Sequence, residues 1–401
     1  MKKVLLAFSG GLDTTFCATW LKLEQGYEVH AVTIDTGGFS DEDLRLIESR
    51  ANLAGVASWQ VIDGKKDYYQ RCIKYLVFGN VLKNGTYPLS VSAERVLQAI
   101  LLAEKANQMG IYTIAHGSTG AGNDQVRFDM LLEILLPEVK IITPVRDLKL
   151  SREREIKYLT KHNIVFDFSK AEYSINKGLW GTSVGGKETL TSNLPLPEEA
   201  WPTPISKSGS EVLSIEFTCG EISAVNGNSC RGVKAIELIQ SIAAPYGVGR
   251  DIHVGDTIIG IKGRVGFEAA APLVIIKAHH ALEKHVLTKW QLYWKEQLSV
   301  WYGNWLHEGQ YFEPAMRDIE AMMANTQQSV CGTVEILLHP HHFSVMGISS
   351  PYDLMQSQAG QYGEMNNGWT GDDVKGFTKI FGQQVKNYHH LQLKLEKETT
   401  A

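Results

Sequence analysis

The sequence predicts an α/β protein: a doubly wound parallel sheet, a second α+β domain after it, and a helix at the C-terminal end. Three observations carry that prediction. Short apolar runs of strand length alternate with helical patterns through the first part of the chain. Around residues 165–205 the texture changes to glycines and to prolines at 195, 197, 202 and 204, with few long apolar runs. Near the end, Val374, Phe377, Ile380, Phe381, Val385, Tyr388 and Leu391 recur at helical spacing within residues 371–396. The expected domains are 1–168, 169–365 and 366–401.

Residues 4–8, Val-Leu-Leu-Ala-Phe, are too short an apolar run for a helix and read as a strand. Ser9, Gly10 and Gly11 break it, and Asp13, Thr14 and Thr15 open a helix through Trp20 and Leu21. Residues 29–34 form a second strand, which ends at Asp35-Thr36-Gly37-Gly38. Residues 41–54 are helical, with Leu44, Ile47 and Leu53 apolar, and residues 60–62 are a third strand. A long helix follows the Tyr87-Pro88-Leu89 turn and turns Val96, Leu97, Ile100 and Leu101 inward. Residues 112–116 and 140–144 complete the first set of strands. In the second domain, residues 212–217, 254–261, 273–278 and 333–338 read as strands and 283–302 as a helix. Trp290, Trp294 and Trp301, with Leu292 and Tyr293, read as a packed helix face. The C-terminal helix has more apolar face than an arm in water should show, so it is expected to dock on something.

The bulk numbers narrow the function. A chain of 401 residues with 44% hydrophobic and 21% charged residues is ordinary soluble globular material. A net charge of −5 argues against a nucleic-acid partner. Cysteines 17, 72, 219, 230 and 331 are odd in number and scattered, without a Cys-x-x-Cys, which fits a reducing cytoplasm. Cys17 lies on an apolar stretch and reads as a buried, inert thiol. Lys2 and Lys3 precede an apolar run too short for a signal peptide, and no stretch is long enough to span a membrane. His279, His280, His285, His339, His341 and His342 follow no zinc spacing, so no metal site is expected.

Two segments carry chemistry. A strand that turns through paired glycines into a helix N-terminus is a phosphate cradle, because Gly10 and Gly11 let backbone N–H groups approach an anion and the helix end attracts it. No Gly-Lys-Ser/Thr follows, so this is not a Walker loop, nor is it a Gly-x-Gly-x-x-Gly fingerprint. The plain alternative is a tight turn without a ligand. The second segment, residues 116–128, reads His-Gly-Ser-Thr-Gly-Ala-Gly-Asn-Asp-Gln-Val-Arg-Phe at another strand end. Asp124 can pair with an ammonium and Arg127 can grip a carboxylate, while Thr119 and Asn123 add uncharged hydrogen-bonding groups. Taken alone, the same residues also read as a helix cap with a surface ion pair.

Ser-Gly-Gly-Leu-Asp-Thr resembles the pyrophosphate loop of ATP pyrophosphatases, which cleave between the α and β phosphates. The whole chain resembles the argininosuccinate synthase family. The further matches are Tyr87-Pro88-Leu89 with Ser92, residues 117–128, Tyr173-Ser174, Leu179-Trp180-Gly181, Gly247-Val248-Gly249-Arg250, Ile261-Lys262 and Ser350-Pro351-Tyr352. The resemblance implies a nucleotide-binding domain, a synthetase domain and a C-terminal oligomerisation helix in a cytoplasmic homotetramer. It implies ligation of citrulline and aspartate through citrullyl-AMP, releasing AMP and pyrophosphate. ATP, as its magnesium complex, would lie on Ala7, Phe8, Ser9, Gly10, Gly11, Leu12, Asp13, Thr14 and Thr15, bordered by Ile34 and Gly117. Thr119, Asn123 and Asp124 would hold aspartate, with Asp124 as the catalytic residue. Tyr87, Ser92, Asn123, Arg127, Ser174 and Ser183 would hold citrulline.

The chain also departs from that family. Ala121 stands in place of a lysine, Tyr246 in place of a histidine, and Asn176-Lys177-Gly178 and Gly185-Gly186-Lys187 in place of acidic residues. Gly255 and Phe267 stand where a glutamate and a tyrosine usually serve the amino-acid end of citrulline. Two expectations follow: Asp256 swings in to hold the citrulline amine, or the freed volume takes an N-acylated citrulline whose acyl acid meets Lys177 and Lys187. The first is favoured. Rival readings are a tRNA-modifying pyrophosphate-loop enzyme, which would need a basic face or paired cysteines, and a nucleotide-binding regulatory module, for which the Asn123-Asp124-Arg127 cluster would be superfluous.

Overall fold

A computed structural model describes residues 2–165, 173–356, 360, 362–365 and 368–399. Strands β1 (Lys3–Ala7), β2 (Glu28–Asp35), β3 (Ser58–Asp63), β4 (Thr113–Ala115) and β5 (Lys140–Ile142) pair in parallel in the order β3-β2-β1-β4-β5. Helices α1 (Leu12–Leu23), α2 (Asp41–Leu53), α3 (Ser90–Met109), α4 (Asp124–Leu135) and α5 (Arg152–Lys161) cover both faces. The alternation along β1 shows how. Leu5 joins the core with Val96, Leu97 and Ile100 of α3 and Leu131 of α4, while Val4 and Leu6 join Phe16 and Leu21 of α1, Ile47 of α2 and Leu159 of α5. The order reverses between β1 and β4, so the loops after these two strands flank the switch point where such sheets bind ligands.

Two antiparallel sheets follow, built from β6 (Ser174–Gly178), β7 (Gly181–Gly185), β8 (Glu211–Thr218), β9 (Glu221–Val225), β10 (Asn228–Ser229), β11 (Arg250–Asp256), β12 (Lys262–Glu268), β13 (Gly332–His339) and β14 (His342–Ser349). Their orders are β10-β9-β8-β13-β14 and β11-β12-β7-β6. Helices α6 (Gly232–Ala243), α7 (Ala270–Val286), α8 (Lys289–Glu308) and α9 (Pro314–Thr326) pack with them. Met1–Tyr352 form one compact unit and Asp353–Ala401 another.

Several expectations are corrected. Residues 273–278 lie inside α7, not in a strand. Val274, Ile275, Ile276 and Ala278 are all buried, and a helix covered on most sides lacks the polar interruptions that reveal its period. The helix expected over 283–302 is two helices, because Thr288 starts α8 with a reciprocal cap to Gln291. Strand β11 ends at Asp256, and a turn with Gly260 at φ +83° replaces the rest of the strand expected over 254–261. Trp290, Trp294 and Trp301 are 63%, 58% and 57% exposed, so the aromatic stripe is an outer face of α8 within this chain. The inner face buries Tyr302, Gly303 and Leu306 together with an ion pair: Lys295 Nζ lies 2.7 Å from Glu283 Oε2 and donates to the Phe78 carbonyl at 2.9 Å.

In the second unit, the single C-terminal helix is two, α10 (Gly371–Phe381) and α11 (Gln383–Thr399), with Gly382 between them. Phe377, Ile380, Phe381, Val385, Tyr388 and Leu391 are exposed there.

Candidate active site

The chain leaves β1 through Phe8 and Ser9 and enters α1 at Gly11. Gly10 has φ +70°, where a Cβ would sit 3.0 Å from Ile47 Cγ1, so both conformation and space require glycine. Gly11 has an ordinary φ of −73° and makes no side-chain cap. The first N–H groups of α1 therefore remain available for an anion. Thr15 Oγ1 donates to the Gly11 carbonyl at 2.8 Å, and Ser9 Oγ lies 3.3 Å from Thr14 Oγ1. The loop is braced from outside: Arg50 Nη1 donates to the Gly10 carbonyl at 2.8 Å and Thr33 Oγ1 to the Phe8 carbonyl at 2.7 Å. The loop after β4 passes close by, since a Cβ on Gly117 would sit 3.2 Å from Asp13 Cβ. Ile34 is buried at the end of β2. Cys17 is fully buried, and burial pushes its thiol far up, as expected for an inert side chain.

Beside the second loop lies a cavity of about 240 Å³, lined among others by Tyr87, Ser92, Asn123, Asp124, Arg127 and Ser183. Tyr87 and Ser92 are presented by a tight entry into α3. Leu89 is fully buried at φ +61°, an uncommon conformation for leucine, held by Trp180 Nε1 donating to the Pro88 carbonyl and Tyr68 Oη to the Ser90 carbonyl, both at 3.0 Å. Tyr87 is sandwiched by His253, stacked at 4.8 Å, and Phe267, edge-on at 5.4 Å. The β11–β12 hairpin closes the cavity, and its Ile258 N–H donates to Asn123 Oδ1 at 2.8 Å.

The electrostatics are dominated by arginine. Asp124 accepts from Arg127 Nη1 at 2.8 Å and from Arg95 Nε at 3.3 Å. Burial works against its charge, but the two guanidinium groups prevail and hold the carboxyl below its usual range. Arg127 is buried, donates to the His307 carbonyl through Nε at 2.8 Å, and so does not offer an open fork. His307 Nδ1 faces Ser92 Oγ at 2.9 Å and Arg127 Nη2 at 3.4 Å. Burial, then the charges of Arg127 and Lys83, push His307 down to about 2, so it is a neutral imidazole. An Nδ1 that accepts from arginine leaves the proton on Nε2.

Two domain profiles of one family match the chain: the N-terminal HUP domain of arginosuccinate synthase over residues 3–165, and its C-terminal domain over residues 173–388. Proteins named argininosuccinate synthase are similar over almost their full length. That of Methanocaldococcus jannaschii is 36% identical over 387 residues, 96% of this chain and 97% of the relative. That of Dehalococcoides mccartyi is 37% identical over 402 residues, 99% and 98%, and that of Xylella fastidiosa 35% over 407 residues, 98% and 99%. The chain belongs to the argininosuccinate synthase family. It is therefore an enzyme of a ligase family.

Within this argininosuccinate synthase framework, the expected substrate residues are largely brought together. Tyr87, Ser92, Asn123, Asp124, Arg127 and Ser183 share the cavity. Asp256 reaches it only at the rim, with a side chain 72% exposed and a carboxylate 2.7 Å from Lys262 Nζ. Thr119 and Ser174 are exposed and outside the lining. The volume expected at Gly255 is not empty, because a Cβ there would lie 2.5 Å from His253 Nε2. Reasoning from sequence missed Arg95, His253, Arg264 and His307. Arg95 had a readable signal, one helical turn from Ser92 on the same face of α3. The others reach the cavity from distant segments and carry no local motif.

Among the described residues no helix is long and apolar enough to cross a membrane.

Proposed function

We propose that the chain joins a citrulline-type ureido amino acid to aspartate at the expense of ATP, in arginine formation. The observation that carries this reading is the adjacency of two devices at one switch point: an uncapped helix N-terminus behind Gly10 and Gly11, and a cavity rich in arginine, amide and hydroxyl groups behind Gly117. A nucleotide module alone would need only the first.

In the first step the ureido oxygen attacks the α-phosphorus of magnesium-bound ATP. An O–P bond forms, the bridge to the β-phosphate breaks, and pyrophosphate leaves against the N–H groups of Leu12, Asp13 and Thr14. In the second, the aspartate ammonium releases one proton to solvent and the free amine attacks the activated ureido carbon. The C–N bond forms, the C–O bond breaks, AMP departs with the oxygen, and the product keeps the remaining protons as a guanidinium. The protein's share is positioning and charge stabilisation. Asp124, held ionised by Arg95 and Arg127, suits pairing with the aspartate ammonium better than accepting its proton. Thr119 and Asn123 would complete the aspartate site, and Tyr87, Ser92, Arg127, Ser174 and Ser183 the ureido site. The exposed apolar faces of α10 and α11 support assembly into a homotetramer, and the unpaired cysteines support a cytoplasmic setting.

The test is product analysis with ATP, aspartate and a ureido substrate. AMP and pyrophosphate, both dependent on the ureido compound, are expected. ADP and phosphate, or turnover that requires tRNA, would overturn the reading.

A further inference from the structure

The cavity's acids are engaged, and one of its cations is not paired with an acid. Its acids are Asp124 and Asp256, and neither is left for a second ammonium: Asp124 is held by two arginines and, in the reading above, takes the aspartate ammonium, and Asp256 is paired with Lys262 out at the rim. Of the two lining cations, Arg127 is paired with Asp124, whereas Arg264 makes no ion pair among the described residues. Arg264 lines the cavity, and its Nη1 is held at 2.9, 2.7 and 2.9 Å from the backbone carbonyls of Glu188, Thr191 and Leu194. Lys83, outside the lining, donates to the neutral amide of Asn304 at 3.0 Å; its charge is felt by both His253 and His307, and the carboxylates of Glu308 and Asp256 in turn favour that charge. The carboxylate of Glu188 lies toward Gly186 and outside the lining. Two further lining groups are buried imidazoles, each with a nitrogen left without a hydrogen-bond partner among the described residues: His253 Nδ1 and His307 Nε2.

A free α-amino acid brings an ammonium as well as a carboxylate. The carboxylate suits this cavity, but the ammonium meets no open anion and sits beside fixed positive charge, an unfavourable arrangement for a desolvated ion. Acylation removes that charge. The nitrogen becomes an amide N–H that an imidazole nitrogen can accept, and the acyl oxygen accepts from an imidazole N–H. An acyl chain ending in a carboxylate would also give Arg264 an anionic partner. From this geometry we infer that the ureido substrate of this enzyme carries an acyl group on its α-nitrogen: an N-acylcitrulline rather than citrulline. The inference rests on the ligase reading above and specifies its substrate class. It departs from the role expected for Asp256, whose carboxylate is engaged by Lys262.

Equilibrium binding decides it. Citrulline, N-acetylcitrulline and N-succinylcitrulline are titrated calorimetrically into the intact protein in the presence of magnesium and a non-hydrolysable ATP analogue. Both acylated compounds should bind at least tenfold more tightly than citrulline, and N-succinylcitrulline more tightly than N-acetylcitrulline. Arg264→Met should narrow the gap between the two acylated compounds. Tighter binding of citrulline, equal binding of all three, or no binding of either acylated compound overturns the inference. Turnover is measured separately: AMP formed with citrulline preferred leaves the ligase reading intact while this inference falls. If acylated compounds bind tightly but no AMP forms with any of them, it is the ligase reading that falls.

Discussion

Replacing Glu155 by glutamine should stabilise the protein, and increasingly so as the pH rises. Glu155 stands on α5 against α1, only 2% exposed, with Oε2 lacking a partner and a hydrogen bond shared with Asp13 in the first turn of α1. Burial first, then the charge of Asp13, push its carboxyl up to about 8 from the ordinary 4.5. The unfolded chain gives up this proton near pH 4.5, whereas the folded chain keeps it until about 8. The native state thus binds more protons across that window, so this group lowers stability progressively as pH rises through it. At about 1.4 kcal/mol per unit, the ceiling is roughly 1.4 kcal/mol at pH 5.5 and about 5 kcal/mol at pH 8.5. Sharing the proton with Asp13 and local hydration reduce these by about half. Glutamine keeps the shape and a donor toward Asp13 and has no charge to desolvate. With an unfolding entropy of about 2.1 cal/mol/K per residue over 401 residues, each kcal/mol is worth about 1.2 °C, so Tm should rise by about 1 °C at pH 5.5 and about 3 °C at pH 8.5. The assay is differential scanning fluorimetry of both proteins at fixed concentration and scan rate. A Tm difference that does not grow with pH, or a variant less stable at pH 8.5, would refute the assignment.

The two loop glycines should fail differently. Gly10→Ala meets both a left-handed φ and Ile47, costing about 1–2 kcal/mol of stability, whereas Gly11→Ala leaves Tm nearly unchanged and weakens ATP binding at least tenfold, as read by calorimetry. Asp124→Asn should leave ureido-dependent exchange of pyrophosphate into ATP measurable while cutting argininosuccinate-type product at least a hundredfold; equal loss of both would remove Asp124 from the second step. Asp124→Ala should in addition destabilise the fold by about 3 kcal/mol, because Arg127 would be left buried without its counter-ion, and a denaturant midpoint close to wild type would contradict that. Deleting residues 371–401 should turn a tetramer on a sizing column into smaller or aggregating species.

The nucleotide half was legible because its signals are local. The five strands, the Gly10-Gly11 turn and the start of α3 after Tyr87-Pro88-Leu89 are each written within a few consecutive residues. The second half resisted for the opposite reason. Residues 273–278 look like a strand only because α7 is buried on most of its surface, and α8 turns Trp290, Trp294 and Trp301 outward while burying Tyr302, Leu306 and the ion pair of Lys295 with Glu283. Neither charge announces its partner in sequence. The cavity shows the same division: Asn123, Asp124 and Arg127 sit in one short segment, whereas His253, Arg264 and His307 arrive only through tertiary structure.

The β11–β12 hairpin concentrates several of the groups that line the cavity. His253, Gly255, Asp256 and Arg264 all lie between residues 250 and 268, and Ile258 fastens the tip to Asn123 with one backbone hydrogen bond. The residues proposed to hold the phosphates lie more than a hundred positions earlier in the chain. On the proposed function, part of the substrate cavity therefore lies on a piece of polypeptide separate from the phosphate loop. A lineage can exchange or retune one short ribbon and acquire a new ureido substrate while its adenylating apparatus stays untouched. The same separation makes the ribbon a natural unit for grafting between members of this family.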